Sequence, residues 1–191
     1  MRTVNRQTGF SIVELMVVLV IAAVAMTTAA PSLGTFVKNN RLQSRSIGLM
    51  RTIHLARSEA AKRRTRVVLC RTANPTAAIP SCGGNSYTWT TGYLVFAAGN
   101  SNSTYEAGVD ELLRVGMPAS GDVTIRSNSV SNNNLEINPD GTTNEGGGTA
   151  RFAICDGRGG SFGRQIDVSP VGRPKVTKGS AGDTVNCTTP T

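Results

Sequence analysis

The sequence predicts an α+β chain in which a long N-terminal helix, apolar in its first half and amphipathic in its second, packs on an antiparallel β-rich domain pinned by two disulfides. Three observations carry that expectation. Residues Phe10 to Ala30 read FSIVELMVVLVIAAVAMTTAA, an apolar run whose only charge is Glu14. A helical period continues beyond it and gives way, after Arg64, to short alternating segments separated by turn formers. All four cysteines, Cys70, Cys82, Cys155 and Cys187, lie past the apolar run.

The 21 residues of the apolar run would span about 31 Å as a helix, close to the hydrocarbon thickness of a bilayer. Residues 10–30 are therefore expected to cross a membrane. Arg2 and Arg6, with the small residues Thr28-Ala29-Ala30, would also suit a secretory signal peptide. Against that reading stands Glu14, because a carboxylate inside an apolar segment is costly and marks a functional position. Pro31 then removes one helical hydrogen bond and predicts a kink.

Residues 31–66 should form the amphipathic half. Leu42, Ser46, Leu49, Ile53, Ala56 and Ala60 recur at alternating spacings of 4 and 3, one face of a helix suited to pack on a sheet. Arg41, Arg45, Arg51, Lys62 and Arg63 fall on other faces. From there residues 67–191 read as a β-rich domain, with strands expected at Arg66–Cys70, Tyr87–Ala97, Glu111–Val115, Val123–Arg126, Arg151–Cys155 and Gln165–Val168. Turn clusters such as Gly83-Gly84-Asn85 and Pro139-Asp140-Gly141 separate them.

Composition sets the outer limits. With 191 residues, 39% hydrophobic and 17% charged, the chain can bury a core and is too apolar for a disordered tail; its 21 Gly and 8 Pro follow no collagen period. The formal charge of +8 points to anionic partners. Nine basic residues against Glu59 alone lie between Lys38 and Arg66, and a second basic stretch runs from Arg151 to Lys178.

The cysteines indicate an oxidising compartment. Three pairings are possible, and proximity in sequence favours Cys70 with Cys82 and Cys155 with Cys187. No C-x-x-C pair occurs and His54 is the only histidine, so no metal or cofactor is expected. Gly159 to Gly163 formally match G-x-S-x-G. A strand-like Gln165 to Val168 follows where a helix is required, and His54 precedes the serine, so the glycines predict a hairpin turn and the chain a non-enzyme.

The leader MRTVNRQTG followed by FSIVEL closely resembles the processing site of type IV pilins. The resemblance implies a prepilin leader over residues 1–9, cleavage between Gly9 and Phe10 by a prepilin peptidase, and N-methylation of Phe10. It gives Glu14 an assembly role, pairing with the new Phe10 amine of a neighbouring subunit. Further on, LARSEAAKRRTRVVLC, TWTTGYLVFAAGN, ELLRV and FAICDGRGGSFGRQIDVSPVGRPKV resemble in order the FimT/FimU (GspH-like) minor pilins. Tyr93 stands where that family usually has Trp.

A pilin-like fold follows by resemblance, with other minor and major pilins as partners. The chain would sit in the inner membrane as a single pass, C-terminal domain in the periplasm, and at the pilus surface after assembly. Its implied role is priming assembly at or near the tip of a type IV pilus. Two alternatives stay open, a minor pseudopilin of type II secretion and a receptor for double-stranded DNA. For DNA the implied residues are Arg164, Arg173, Lys175 and Lys178, with Gly172-Arg173-Pro174-Lys175 matching a G-R-x-R pattern if Lys175 replaces the second arginine. Phe152 and Phe162, interleaved with these cations, are expected in the core.

Overall fold

The computed structural model describes residues 9–128, 133–144 and 146–188, with the side chains of 28–31 left aside. The leader expected over 1–9 lies, Gly9 excepted, outside the described residues. The chain divides into two compact units, Met1–Lys38 and Asn39–Thr191.

In the first unit the helix α1 (Ile12–Arg63) begins, with large apolar side chains from Phe10 to Val37 exposed. Among the described residues no single helix is long and apolar enough to cross a membrane. Ile12–Thr27 and Ser32–Arg63, on either side of a break that contains Pro31, meet the requirement together by length and composition.

In the second unit α1 lays Leu42, Ser46, Leu49, Ile53, Ala56 and Ala60 inward, none more than 2% exposed. The two alanines let the backbone come close to the sheet, and Ser46 satisfies its hydroxyl by donating to the Gln43 carbonyl at 2.9 Å. The helix stops at Arg64, whose φ of 54° is left-handed, and the chain turns into β1. Lys62 and Arg63 occupy the last turn, where the helix dipole favours cations.

Among the described residues eight strands follow: β1 (Val67–Arg71), β2 (Tyr93–Ala97), β3 (Glu111–Gly116), β4 (Thr124–Ser127), β5 (Asn134–Ile137), β6 (Ala150–Cys155), β7 (Arg164–Val168) and β8 (Pro174–Lys178). They make two four-stranded sheets, ordered β3-β2-β1-β5 and β4-β6-β7-β8, with every pairing antiparallel. Val67, Leu69, Val95, Leu135 and Ile137 from the first sheet meet Ile125, Phe152, Ile154, Ile166 and Val168 from the second in one core under the helix stripe. Trp89 sits in that core, edge-on to Phe152 at 5.1 Å, and its Nε1 donates to Ser127 Oγ at 3.1 Å.

Each sheet carries a small apolar cluster on its other face, and each cluster holds a disulfide. Cys70–Cys82 joins β1 to the following loop with a Cα separation of 5.6 Å, beside Val68, Leu94 and Phe96. Cys155–Cys187 ties the C-terminal segment to β6 at 5.9 Å, beside Ala153 and Val185.

A buried ionic knot fastens the helix exit. Arg66, just past α1, donates to Glu136 of β5 at 2.7 Å and to the Asn102 carbonyl, while Glu136 also accepts from Ser103 and Asn144. Burial would raise the Glu136 pKa, but these donors and the Arg66 charge outweigh it and hold the carboxyl below its ordinary value.

Three sequence expectations need correction. The strand expected over Tyr87–Ala97 forms only from Tyr93, because Tyr87 and Gly92 take positive φ and Trp89 to Gly92 close a turn. Two strands were not foreseen. β5 follows an Asn-rich stretch that reads as loop, and β8 opens on Pro174, tolerated because it is the first residue of an edge strand. Phe162 is 40% exposed rather than core, since the turn before β7 lifts it to the surface.

Candidate functional site

Gly9, Phe10 and Ser11 precede the helix and are not helical, and Phe10 is 83% exposed. An ideal Cβ on Gly9 would meet nothing within 4 Å, its two chain neighbours aside. The first helical hydrogen bond runs from Leu15 N–H to the Ser11 carbonyl at 3.1 Å, which places Ser11 at the N-cap. Glu14 then stands in the first turn, where the positive end of the helix dipole favours a carboxylate. Ser11-Ile12-Val13-Glu14 also has the S-x-x-E spacing of a capping box. Glu14 is thus the one acid on a helical segment whose neighbours Ile12, Val13, Leu15, Met16 and Val17 are all apolar and exposed. An exposed apolar surface of this length demands cover, and a carboxylate within it demands a cation.

The C-terminal cations are distributed by strand register. Arg164 pairs with Lys178 across β7 and β8, on the face that also carries Ile166 and Val176. Asp167 pairs with Lys175 on the opposite face, where Arg151 of β6 reaches Asp167 at 3.4 Å. Arg173 lies exposed in the turn before β8, held by exchange of hydrogen bonds with Ser169. The four residues therefore fall on no single face. Arg164 is further engaged, since its Nη1 donates to the Phe162 and Gly163 carbonyls at 2.9 and 3.1 Å. Burial, aided by the charge of Arg158, lowers its pKa.

Sequence reasoning placed Arg158 in the second basic stretch but gave it no partner. Its guanidinium lies 4.5 Å above the Phe162 ring and pairs at 2.7 Å with Asp156, whose side chain is 1% exposed. The Asp156-Gly157-Arg158 turn was the available signal, because Asp156 also accepts the Arg158 backbone N–H at 3.0 Å. His54 and Ser58 are exposed on α1, and Gly159 to Gly163 form the turn between β6 and β7. Among the described residues no group of His, Cys, Asp and Glu could hold a metal ion.

Known proteins can be set against this geometry. The prokaryotic N-terminal methylation motif matches residues 4–30, and the family described as type II transport protein GspH matches residues 48–172. No curated protein matches in sequence. Among solved structures, the type IV minor pilin FimU of Pseudomonas aeruginosa strain PAO1 is similar in two crystal forms. One has 23% identity, a TM-score of 0.55 and coverage of 74% of this chain and 92% of that one. The other has 22% identity, a TM-score of 0.53 and coverage of 71% and 92%. At such identity the likeness speaks for the pilin fold. Because the GspH match spans more than half of its length, the chain belongs to the GspH family, structural and non-enzymatic minor pilins and pseudopilins of type IV pili and type II secretion systems.

Proposed function

We propose that this chain is a minor pilin that is cut between Gly9 and Phe10, methylated on Phe10, and incorporated at or near the tip of a type IV pilus, where it primes assembly. The observation that carries the reading is Glu14, the single charge between Phe10 and Val37, set among exposed apolar side chains of the first helical turns. Cleavage creates an amine at Phe10, and that amine on a neighbouring subunit is the cation that Glu14 needs inside an apolar bundle. Leaving either partner unpaired there would cost about 3 to 5 kcal/mol, enough to set the axial register of each added subunit. Before assembly the chain resides in the inner membrane with residues 39–191 in the periplasm, a placement supported by the disulfides Cys70–Cys82 and Cys155–Cys187.

Glu14→Ala tests this. Cleavage at Gly9 should proceed while recovery of the chain in sheared filaments is lost; filaments containing normal amounts of the variant would sink the assembly role. A pseudopilin role is the second reading, favoured by the description of the matching family as a type II transport protein. Deleting the gene separates the two, since loss of surface pili with intact secretion supports the pilus and the reverse supports secretion. Reception of double-stranded DNA ranks below both, because Arg164 and Lys178 lie on one face of the β7–β8 pair and Lys175 on the other.

A further inference from the structure

The uncharged surface of α1 does not end where the apolar run of the sequence ends. Leu33, Phe36 and Val37 are also exposed, at 63%, 61% and 40%. From Phe10 to Val37 the only charge is Glu14, and the helical part of that stretch, Ile12 to Val37, has about 39 Å of rise. That length exceeds the hydrocarbon core, about 30 Å, and carries the uncharged surface into the headgroup layer of a bilayer about 40 to 45 Å thick overall. Lys38 is the first charge beyond it. Arg41 and Arg45 follow about one and two helical turns after Val37, and because helical side chains tilt toward the N-terminus both turn back toward the headgroup level.

The charge at this level is of one sign. No Asp or Glu occurs between Leu15 and Ser58. The ion pairs of the described residues leave Arg41 and Arg45 without a carboxylate partner. Arg41 is exposed and its guanidinium crosses Gly121, where a Cβ would come within 2.9 Å of Nη1. Two arginines placed where a membrane-spanning helix emerges satisfy their charge most directly on phosphate oxygens, with their aliphatic stems along the apolar boundary.

We propose that Arg41 and Arg45 dock the emerging helix onto anionic phospholipid headgroups and so fix the height of this part of α1 above the membrane before assembly. The inference rests on the membrane residence proposed above. Each contact would be released when the subunit leaves the bilayer for the filament, so the pair holds unassembled subunits without opposing their packing.

The full chain reconstituted in nanodiscs of equal parts phosphatidylglycerol and phosphatidylcholine provides the test, with lipids retained after extraction counted by native mass spectrometry. The wild-type chain should retain phosphatidylglycerol over phosphatidylcholine by about fivefold or more, the effect expected of one basic residue at an anionic surface. Arg41→Gln with Arg45→Gln should bring the ratio back to that of the bulk lipid, whereas Arg173→Gln with Lys175→Gln should leave it enriched. Unchanged enrichment in the first variant, or its loss in the second, overturns the proposal. A chain that fails to enter nanodiscs of any composition refutes membrane residence itself. Binding to short double-stranded DNA that is abolished by the first variant, with no lipid enrichment, would assign the arginines to nucleic acid instead.

Discussion

Replacing Arg66 by Met should strongly destabilise the unit formed by residues 39–191, for a reason visible in the Glu136 contacts. The Glu136 side chain is 9% exposed and that of Arg66 19%, and their ion pair measures 2.7 Å. Removing the arginine leaves a carboxylate in a poorly hydrated site with the neutral donors Ser103, Asn134 and Asn144. Breaking a buried pair in this way costs about 3 kcal/mol, which for a unit of this size lowers Tm by about 6 to 12 °C. Glu136→Gln should cost less, about 1 to 2 kcal/mol, because the amide keeps an acceptor and Arg66 can rehydrate. Urea titrations of the oxidised unit, wild type, both single variants and the double variant, measure the coupling. A cost below about 1 kcal/mol for Arg66→Met, or strict additivity in the double variant, refutes the argument.

The same knot has a pH signature. The folded Glu136 carboxyl titrates below its ordinary value of about 4.3, so its contribution is complete above that value and is lost as pH falls through the lower folded value. Acid titration of stability should therefore be shallower in Glu136→Gln than in the wild type, and an identical acid limb would contradict the assignment.

Other expectations follow from particular contacts. Cys155→Ala with Cys187→Ala, which opens a loop of sequence separation 32, should cost about 3 to 4 kcal/mol and expose residues 179–188 to rapid amide exchange; unaltered protection there would mean the segment is held by other contacts. Ala56→Leu, at a position 0% exposed under the helix, should destabilise by about 1 to 3 kcal/mol in a thermal melt, since the core beneath has no room for three more carbons. Gly172→Ala should be costly as well, because the new Cβ would lie 2.0 Å from the Gly141 carbonyl oxygen at a φ of +69°, and a neutral result in the same melt would show that the turn relaxes.

Much of this architecture was legible in order along the chain. The buried stripe from Leu42 to Ala60 is a one-dimensional period, and a helix converts it directly into a face. The turns at Pro139-Asp140-Gly141 and Gly159 to Gly163 are likewise local, set by which residues tolerate a positive φ. β5 and β8 were less legible because their strand character comes from pairing. Asn134-Leu135-Glu136-Ile137 looks like loop until β1 supplies its hydrogen bonds, and Pro174 to Lys178 is strand because β7 lies beside it. Phe162 misled for a related reason, since hydrophobicity says what a side chain prefers and the turn geometry decides where it can go.

The sequence by itself determined the long helix with Glu14 as the one charge of its apolar first half, the Gly9–Phe10 junction before it, the four cysteines and the change from helical to strand period after Arg64. Those are consequences of local chemistry and of periods of 3.6 and 2. Tertiary structure alone decided that the strands form two sheets around one core, that Arg66 and Glu136, seventy positions apart, make a buried pair, and that Lys175 faces away from Arg164 and Lys178. Each of those depends on register, and register is fixed by the partner strand: a shift of one residue exchanges the two faces while leaving the sequence unchanged.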